Sequence, residues 1–193
     1  MTATEILPLE LASFWLVILA AGAACWFASA IIHMVIKYHN SDYSELSNED
    51  QVMDAIRAGN PSPALYTTPH CSDMKMMEEE SMQAKFNNGP VAMITILPNG
   101  MPPMGKLLGQ QLAFFIVGSA LIAYLVTMAL SGGSSNMEII RFVFVAAFLT
   151  YGWAEIPYSI WMGQPWSNCV KYIIDAVIYA AATAGVFVAL WPA

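Results

Sequence analysis

Charge is scarce in this sequence. Asp, Glu, Lys and Arg make up 11% of its 193 residues, against about 25% in a typical soluble domain. Basic residues are scarcer still: seven Lys and Arg stand against fourteen Asp and Glu, for a net charge of −7. That balance argues against nucleic acid as a partner and against a polybasic lipid-binding surface. The three cysteines, Cys25, Cys71 and Cys169, form no CxxC pair, and an odd count does not read as a disulfide framework. No GxGxxG, Walker A, HExxH or GxSxG pattern occurs, so the familiar nucleotide, zinc-protease and serine-hydrolase chemistries have no motif to stand on. Only His33 lies in an apolar run, which leaves no pair of intramembrane histidines to hold a haem. Repeats, low-complexity tracts and inverted halves with broken helices are also missing.

What is present is apolar. Hydrophobic residues reach 58% and mean hydropathy is +0.55, the composition of a polytopic membrane protein. The opening residues Met1-Thr2-Ala3-Thr4-Glu5 carry no basic residue, so the first apolar run reads as a retained helix and not as a cleaved signal. Four runs are long enough for the roughly 20 residues a bilayer requires: Leu11 to Ile36, Leu107 to Leu130, Phe142 to Met162 and Tyr172 to Trp191. Small residues at four-residue spacing predict close helix seams at Ala20, Ala24 and Ala28, at Ala176, Ala180 and Ala184, and at Ala181, Gly185 and Ala189.

Between the first two runs lies a polar connection, Tyr38 to Lys106, too long for an unstructured linker. Ser47-Asn48-Glu49-Asp50 has the form of a helix start, with Ser47 as N-cap, and Gly59-Asn60-Pro61 of its stop. Ala64 to Thr68 and Val91 to Leu97 read as strands, with a helix between them running from Ser72 or Asp73 to about Phe86. Strand–helix–strand is the minimal parallel unit. The predicted architecture is therefore an all-α membrane protein: a bundle of four transmembrane helices with a small α+β cap, residues 38–106, inserted between helices 1 and 2.

Orientation follows from the basic residues near the span ends. Lys37, Lys106 and Lys171 fall on one side, joined by Arg57, Lys75 and Lys85 in the long loop, and only Arg141 falls on the other. The bias predicts a multi-pass protein with the long loop in the cytoplasm and both termini on the far, periplasmic side.

Two side-chain sets invite a chemical reading. The first is His33, Glu155, Asp175 and Lys171. At about 1.5 Å per residue, His33 and Asp175 lie roughly 5 Å inside the inner boundary and Glu155 roughly 11 Å inside. A carboxylate that deep costs about 2.5–3.5 kcal/mol on insertion scales, so Glu155 calls for a reason. The set would meet inside the bundle to carry a proton or hold a polar headgroup. The structural alternative is that Asp175 sits in the first turn of its helix beside Lys171, His33 snorkels, and a protonated Glu155 bonds a carbonyl freed by Pro157. The second set is His70, Cys71, Met74 and Met77, soft ligands suited to Cu(I) if the segment after Asp73 is helical; the alternatives are methionines that pack on the strands, or a regulatory thiol at Cys71.

Several stretches together resemble a family of small bacterial inner-membrane proteins of uncharacterised function. They are Lys37…Ser41-Asp42-Tyr43…Leu46…Glu49-Asp50, Pro69-His70-Cys71, Gly89-Pro90-Val91…Met104-Gly105-Lys106, Ser159-Ile160-Trp161-Met162-Gly163…Trp166…Lys171…Asp175…Ile178-Tyr179, and Thr183-Ala184-Gly185…Leu190-Trp191-Pro192. The resemblance spans most of the chain and implies one unit of four helices plus a loop domain, without implying an activity. Met162 and Gln164 stand where the family's Ile-Trp-x-Gly-x-x-Trp stretch calls for an aromatic and a basic residue.

The expected function is accordingly that of a non-catalytic membrane protein acting through interaction, an accessory or structural subunit of a larger complex. Its expected partners are membrane lipid and either a membrane protein or a second copy of the chain. The two alternatives are Cu(I) handling by the His70 segment and a proton-linked carrier or membrane enzyme built on Glu155.

Overall fold

In the computed structural model, residues 9–192 are described; the Met1 to Glu5 stretch on which the retained-helix expectation rests lies outside them. The chain divides into two compact units: the chain up to Tyr43 together with the chain from Pro103 onward, and the insert Ser44–Pro102.

The first unit contains four helices long and apolar enough to cross a membrane. The first is α1 (Trp15–Ala30), entered through a 3-10 turn at Leu11–Phe14 and left through a π-helical turn at Ile31–Ile36. The second is α4 (Met104–Ala129). The third runs from α5 (Asn136–Tyr151) through a 3-10 turn at Trp153–Glu155 into the short α6 (Ile156–Trp161). The fourth is α7 (Trp166–Ala189).

Three of these helices begin earlier than the apolar runs predict, α4 by less than a turn and α5 and α7 by more than one. α5 starts at Asn136 because Ser135 and Glu138 form a capping box, each side chain bonding the other's backbone N–H; two otherwise unpaired donors of the first turn are thereby satisfied. α7 starts at Trp166, directly after Pro165. Asp175 consequently lies well along α7 and not in its first turn, so the helix dipole does not explain that acid.

α5 packs along α7, and α1 packs against both α4 and α7. The core between them is built from Phe14, Val17, Ala21, Ile122, Val143 and Phe187 together with neighbouring alanines. Ala176, Ala180 and Ala184 are buried there, as a small-residue seam should be. The other two predicted seams are not buried lines. On α1 the buried line is Phe14, Val17, Ala21 and Cys25, while Ala181, Gly185 and Ala189 are exposed on the opposite face of α7. Large apolar side chains such as Phe27, Val117, Leu121 and Met128 point outward, which suits a hydrocarbon surrounding and not water.

Pro157 does not kink a continuous helix. The α-helix has already ended at Tyr151, and the proline sits at the start of α6, where its missing N–H costs little. Gly152 marks the break. A Cβ there would lie 2.4 Å from the Cβ of Ala176, so this glycine lets α5 come close to α7.

In the second unit α2 (Glu49–Ala58) is preceded by Asn48, with no side-chain cap from Ser47. Strands β1 (Ala64–Thr68) and β2 (Ala92–Ile96) fall where predicted, but they pair antiparallel, Ala64 opposite Ile96 and Thr68 opposite Ala92. The chain leaves β1 and re-enters β2 at the same end of the pair, so no crossover is made. Parallel pairing is weaker per residue and is normally covered on both faces; this ribbon is largely exposed. The predicted intervening helix is split into a 3-10 turn at Met74–Glu78, capped by Asp73, and α3 (Glu80–Asn88).

Candidate functional site

The end of α1 is where the backbone departs most from regularity. The π-helical turn closes with a bond of 2.8 Å from the Lys37 N–H to the Ile32 carbonyl. Lys37 then adopts a left-handed conformation with φ 59°, an arrangement that stops a helix and reverses the chain. π-turns of this kind are frequent at functional sites. Here the turn delivers a 3-10 segment, Tyr38–Asp42, onto α7.

That segment carries the polar cluster. His39 is 7% exposed and Asp175 on α7 only 3%. His39 Nε2 lies 3.0 Å from Asp175 Oδ2, and His39 Nδ1 lies 2.6 Å from Asp42 Oδ2. Tyr38 donates its hydroxyl to the other oxygen of Asp175. Lys171, one turn before Asp175, donates to Asp42, to the Tyr38 carbonyl at 3.0 Å and to Ser41 Oγ at 2.8 Å. Burial alone would push the Asp42 carboxyl up, but the bonds from Lys171 and His39 outweigh it and hold Asp42 below its ordinary range. His33, on the π-turn, stacks on His39 with ring centroids 4.7 Å apart and planes 1° from parallel, and its Nδ1 lies 3.0 Å from the Ser29 carbonyl.

A cavity of about 630 Å³ opens beside this cluster, between α1, α4, α7 and the broken third helix. Its walls are largely aromatic and apolar, including Trp26, Phe115, Tyr151 and Tyr179; His33, Asp175 and Glu155 supply the charge-bearing groups. Tyr151 closes one side, packed so near α4 that a Cβ on Gly118 would lie 2.8 Å from its ring. Glu155 reaches the cavity because the helix break at Gly152 and the 3-10 turn re-aim it. Among the described residues its carboxyl accepts no hydrogen bond and makes none to a freed carbonyl.

Of the first predicted set, His33, Asp175 and Glu155 thus line one cavity. Lys171 faces Asp42 instead of Asp175. The residues that complete the cluster, Tyr38, His39 and Asp42, come from just beyond the first apolar run. The available signal was a dense polar group, Tyr-His-Asn-Ser-Asp, directly at a span end, with His39 and Asp42 three apart.

The second predicted set lies in the insert. His70 Nδ1 is 3.2 Å from Thr67 Oγ1, and the Cys71 thiol donates to the Asp73 carbonyl at 2.9 Å. Met74 and Met77 are on the 3-10 turn, Met74 the more exposed. Cys25, Cys71 and Cys169 are all free thiols.

Fold and site together define a helical bundle of four potential membrane spans with a histidine–carboxylate cluster and an aromatic cavity at one end. Comparisons with protein-family models, curated proteins and solved structures find no match.

Proposed function

We propose that this chain is a multi-pass membrane protein that acts by binding, and that its occupant is a small amphiphile of the membrane-lipid class. The observation that carries this is the composition of the cavity. Small-molecule sites are mostly apolar concavities of about 300–1,000 Å³ with a few convergent polar groups, and a cavity of about 630 Å³ with His33, Asp175 and Glu155 set in an aromatic wall has that form. The apolar tail would lie against Trp26, Phe115 and Tyr151, and the polar head would face the three ionisable groups. Glu155, which has no hydrogen-bond partner among the described residues, would then meet its partner in the head.

Native mass spectrometry of the full chain, extracted in mild detergent, tests this. The wild-type chain should carry a stoichiometric amphiphile, and Ala30→Trp, which fills the cavity from α1, should lose it. A bare wild-type chain, or equal retention in both, overturns the proposal. A stoichiometric protein partner in the same particle would place the chain in a larger complex, as an accessory subunit. The Lys and Arg bias makes the inner-membrane arrangement, with the insert cytoplasmic and the termini periplasmic, the orientation to test; labelling of Cys71 by an impermeant thiol reagent in intact cells would refute it.

A further inference from the structure

We propose a divalent transition-metal site formed by His33, His39 and Asp175, independent of whether the cavity holds an amphiphile. One nitrogen of each imidazole and one Asp175 oxygen lie within 4.8 Å of one another. Among the described residues this is the one such convergence of His, Cys, Asp and Glu side chains.

Proximity alone does not make a site; the second contacts of the three residues do. A metal-binding histidine characteristically donates its other ring N–H to a carbonyl or carboxylate, which fixes the tautomer and aims the free lone pair. Both histidines are held in this way. His33 Nδ1 faces the Ser29 carbonyl at 3.0 Å, and a carbonyl can only accept, so the proton is on Nδ1 and the lone pair on Nε2. His39 Nδ1 faces the Asp42 carboxylate at 2.6 Å, which again leaves Nε2 toward the centre. Asp175 follows the same logic: one oxygen accepts from Tyr38, and the other faces His39. Each of the three residues is thus anchored through one atom, and a ligand atom of each lies within 4.8 Å of the others. Because the two imidazole planes are parallel, the exposed His33 ring has to shift before both in-plane lone pairs meet one ion.

The charge is also suitable. Lys171 neutralises Asp42, so Asp42 orients His39 without competing for a cation. The proton shared between His39 Nε2 and Asp175 Oδ2 is the one a cation would displace. Two imidazoles and one carboxylate match borderline divalent ions of the Zn²⁺, Fe²⁺ and Co²⁺ class, and the absence of sulfur disfavours Cu(I). His33 and Asp175 also line the cavity, so the remaining coordination positions would open toward it.

The test uses the full chain purified without a histidine tag and stripped of metal, titrated with Co²⁺ alone and followed by its visible d–d absorption. One Co²⁺ per chain should bind. His33→Gln and His39→Ala should each weaken binding at least tenfold, and Asp42→Asn about tenfold, the usual loss when an outer partner of a ligand is removed. His33 is exposed, so His33→Gln preserves the fold and guards against a false loss. Absence of Co²⁺ binding by the folded wild-type chain overturns the proposal. So does binding that survives His33→Gln but disappears in the His70→Ala, Cys71→Ala double variant, which would move the metal to the insert.

Discussion

Nε2 of His39 and Oδ2 of Asp175 stand 3.0 Å apart, with both residues buried. This contact ties the turn that ends α1 to the middle of α7. On its far side the same ring meets Asp42, so His39 bridges two carboxylates whose other oxygens accept from Lys171 and Tyr38. His39→Ala would remove both bonds at once and leave two acids facing a void. Asp42 keeps Lys171 and Asp175 keeps the Tyr38 hydroxyl, so the loss is that of a buried hydrogen-bond partner, about 1–3 kcal/mol. His39→Ala should therefore lower the midpoint of SDS-induced unfolding substantially, whereas the same substitution at the exposed His70 should leave it unchanged. Equal effects at the two positions would contradict the assigned role.

Lys171 and Asp42 are coupled in the same cluster. The Asp42 side chain is 2% exposed, and Lys171 is its charge partner. Lys171→Met leaves a buried carboxylate with one donor fewer, and Asp42→Leu leaves a cation without its acid. The double substitution removes both defects. A double-mutant cycle should accordingly give a coupling energy of about 1–3 kcal/mol, the range for residues sharing one polar network. Additive single effects would show that the ion pair is incidental.

Gly152 is what lets the third long apolar helix come so close to the fourth. A methyl group there would meet Ala176 at 2.4 Å, and because that neighbour is a Cβ with no rotamer to change, the helices themselves would have to separate. Overpacking of this kind costs about 1–3 kcal/mol. Gly152→Ala should destabilise the bundle by that amount, and Ala176→Gly in the same chain should recover most of the loss. Failure of the second substitution to rescue the first would place the strain elsewhere.

The four long apolar helices were legible because hydropathy is additive along the chain and each run is long enough to cross a membrane. Their starts were less legible. Glu138 and Arg141 lie inside α5, and a rule that begins a span after the last charge places its start too late. The two strands were visible from β-branched residues and turn signals, but their direction depends on where the excursion between them returns, which local sequence does not encode. The cluster shows the same division. His33, Asp175 and Glu155 stood out because charge in an apolar run is costly. His39 and Asp42 did not, since their importance comes from a π-turn and a left-handed Lys37 that fold them back against α7. The buried line on α1 runs one residue off the predicted seam, because Ala20, Ala24 and Ala28 share their spacing with the line through Ala21 and Cys25.

Ser159 offers a test in the stabilising direction. Its hydroxyl is buried on α6 and has no hydrogen-bond partner among the described residues. An unpaired buried polar group costs about 1–3 kcal/mol, and alanine keeps the backbone and the β-carbon while removing that cost. The cavity left by one oxygen is small, so the lost packing offsets only part of the gain. Ser159→Ala should leave the fold intact and raise resistance to SDS-induced unfolding by about 1 kcal/mol. A loss of stability of similar size would mean that the hydroxyl is satisfied in the membrane by lipid or by an associated chain. The variant should then be less stable in membranes than in detergent relative to wild type, and comparing the two media would locate that missing partner on the α6 face.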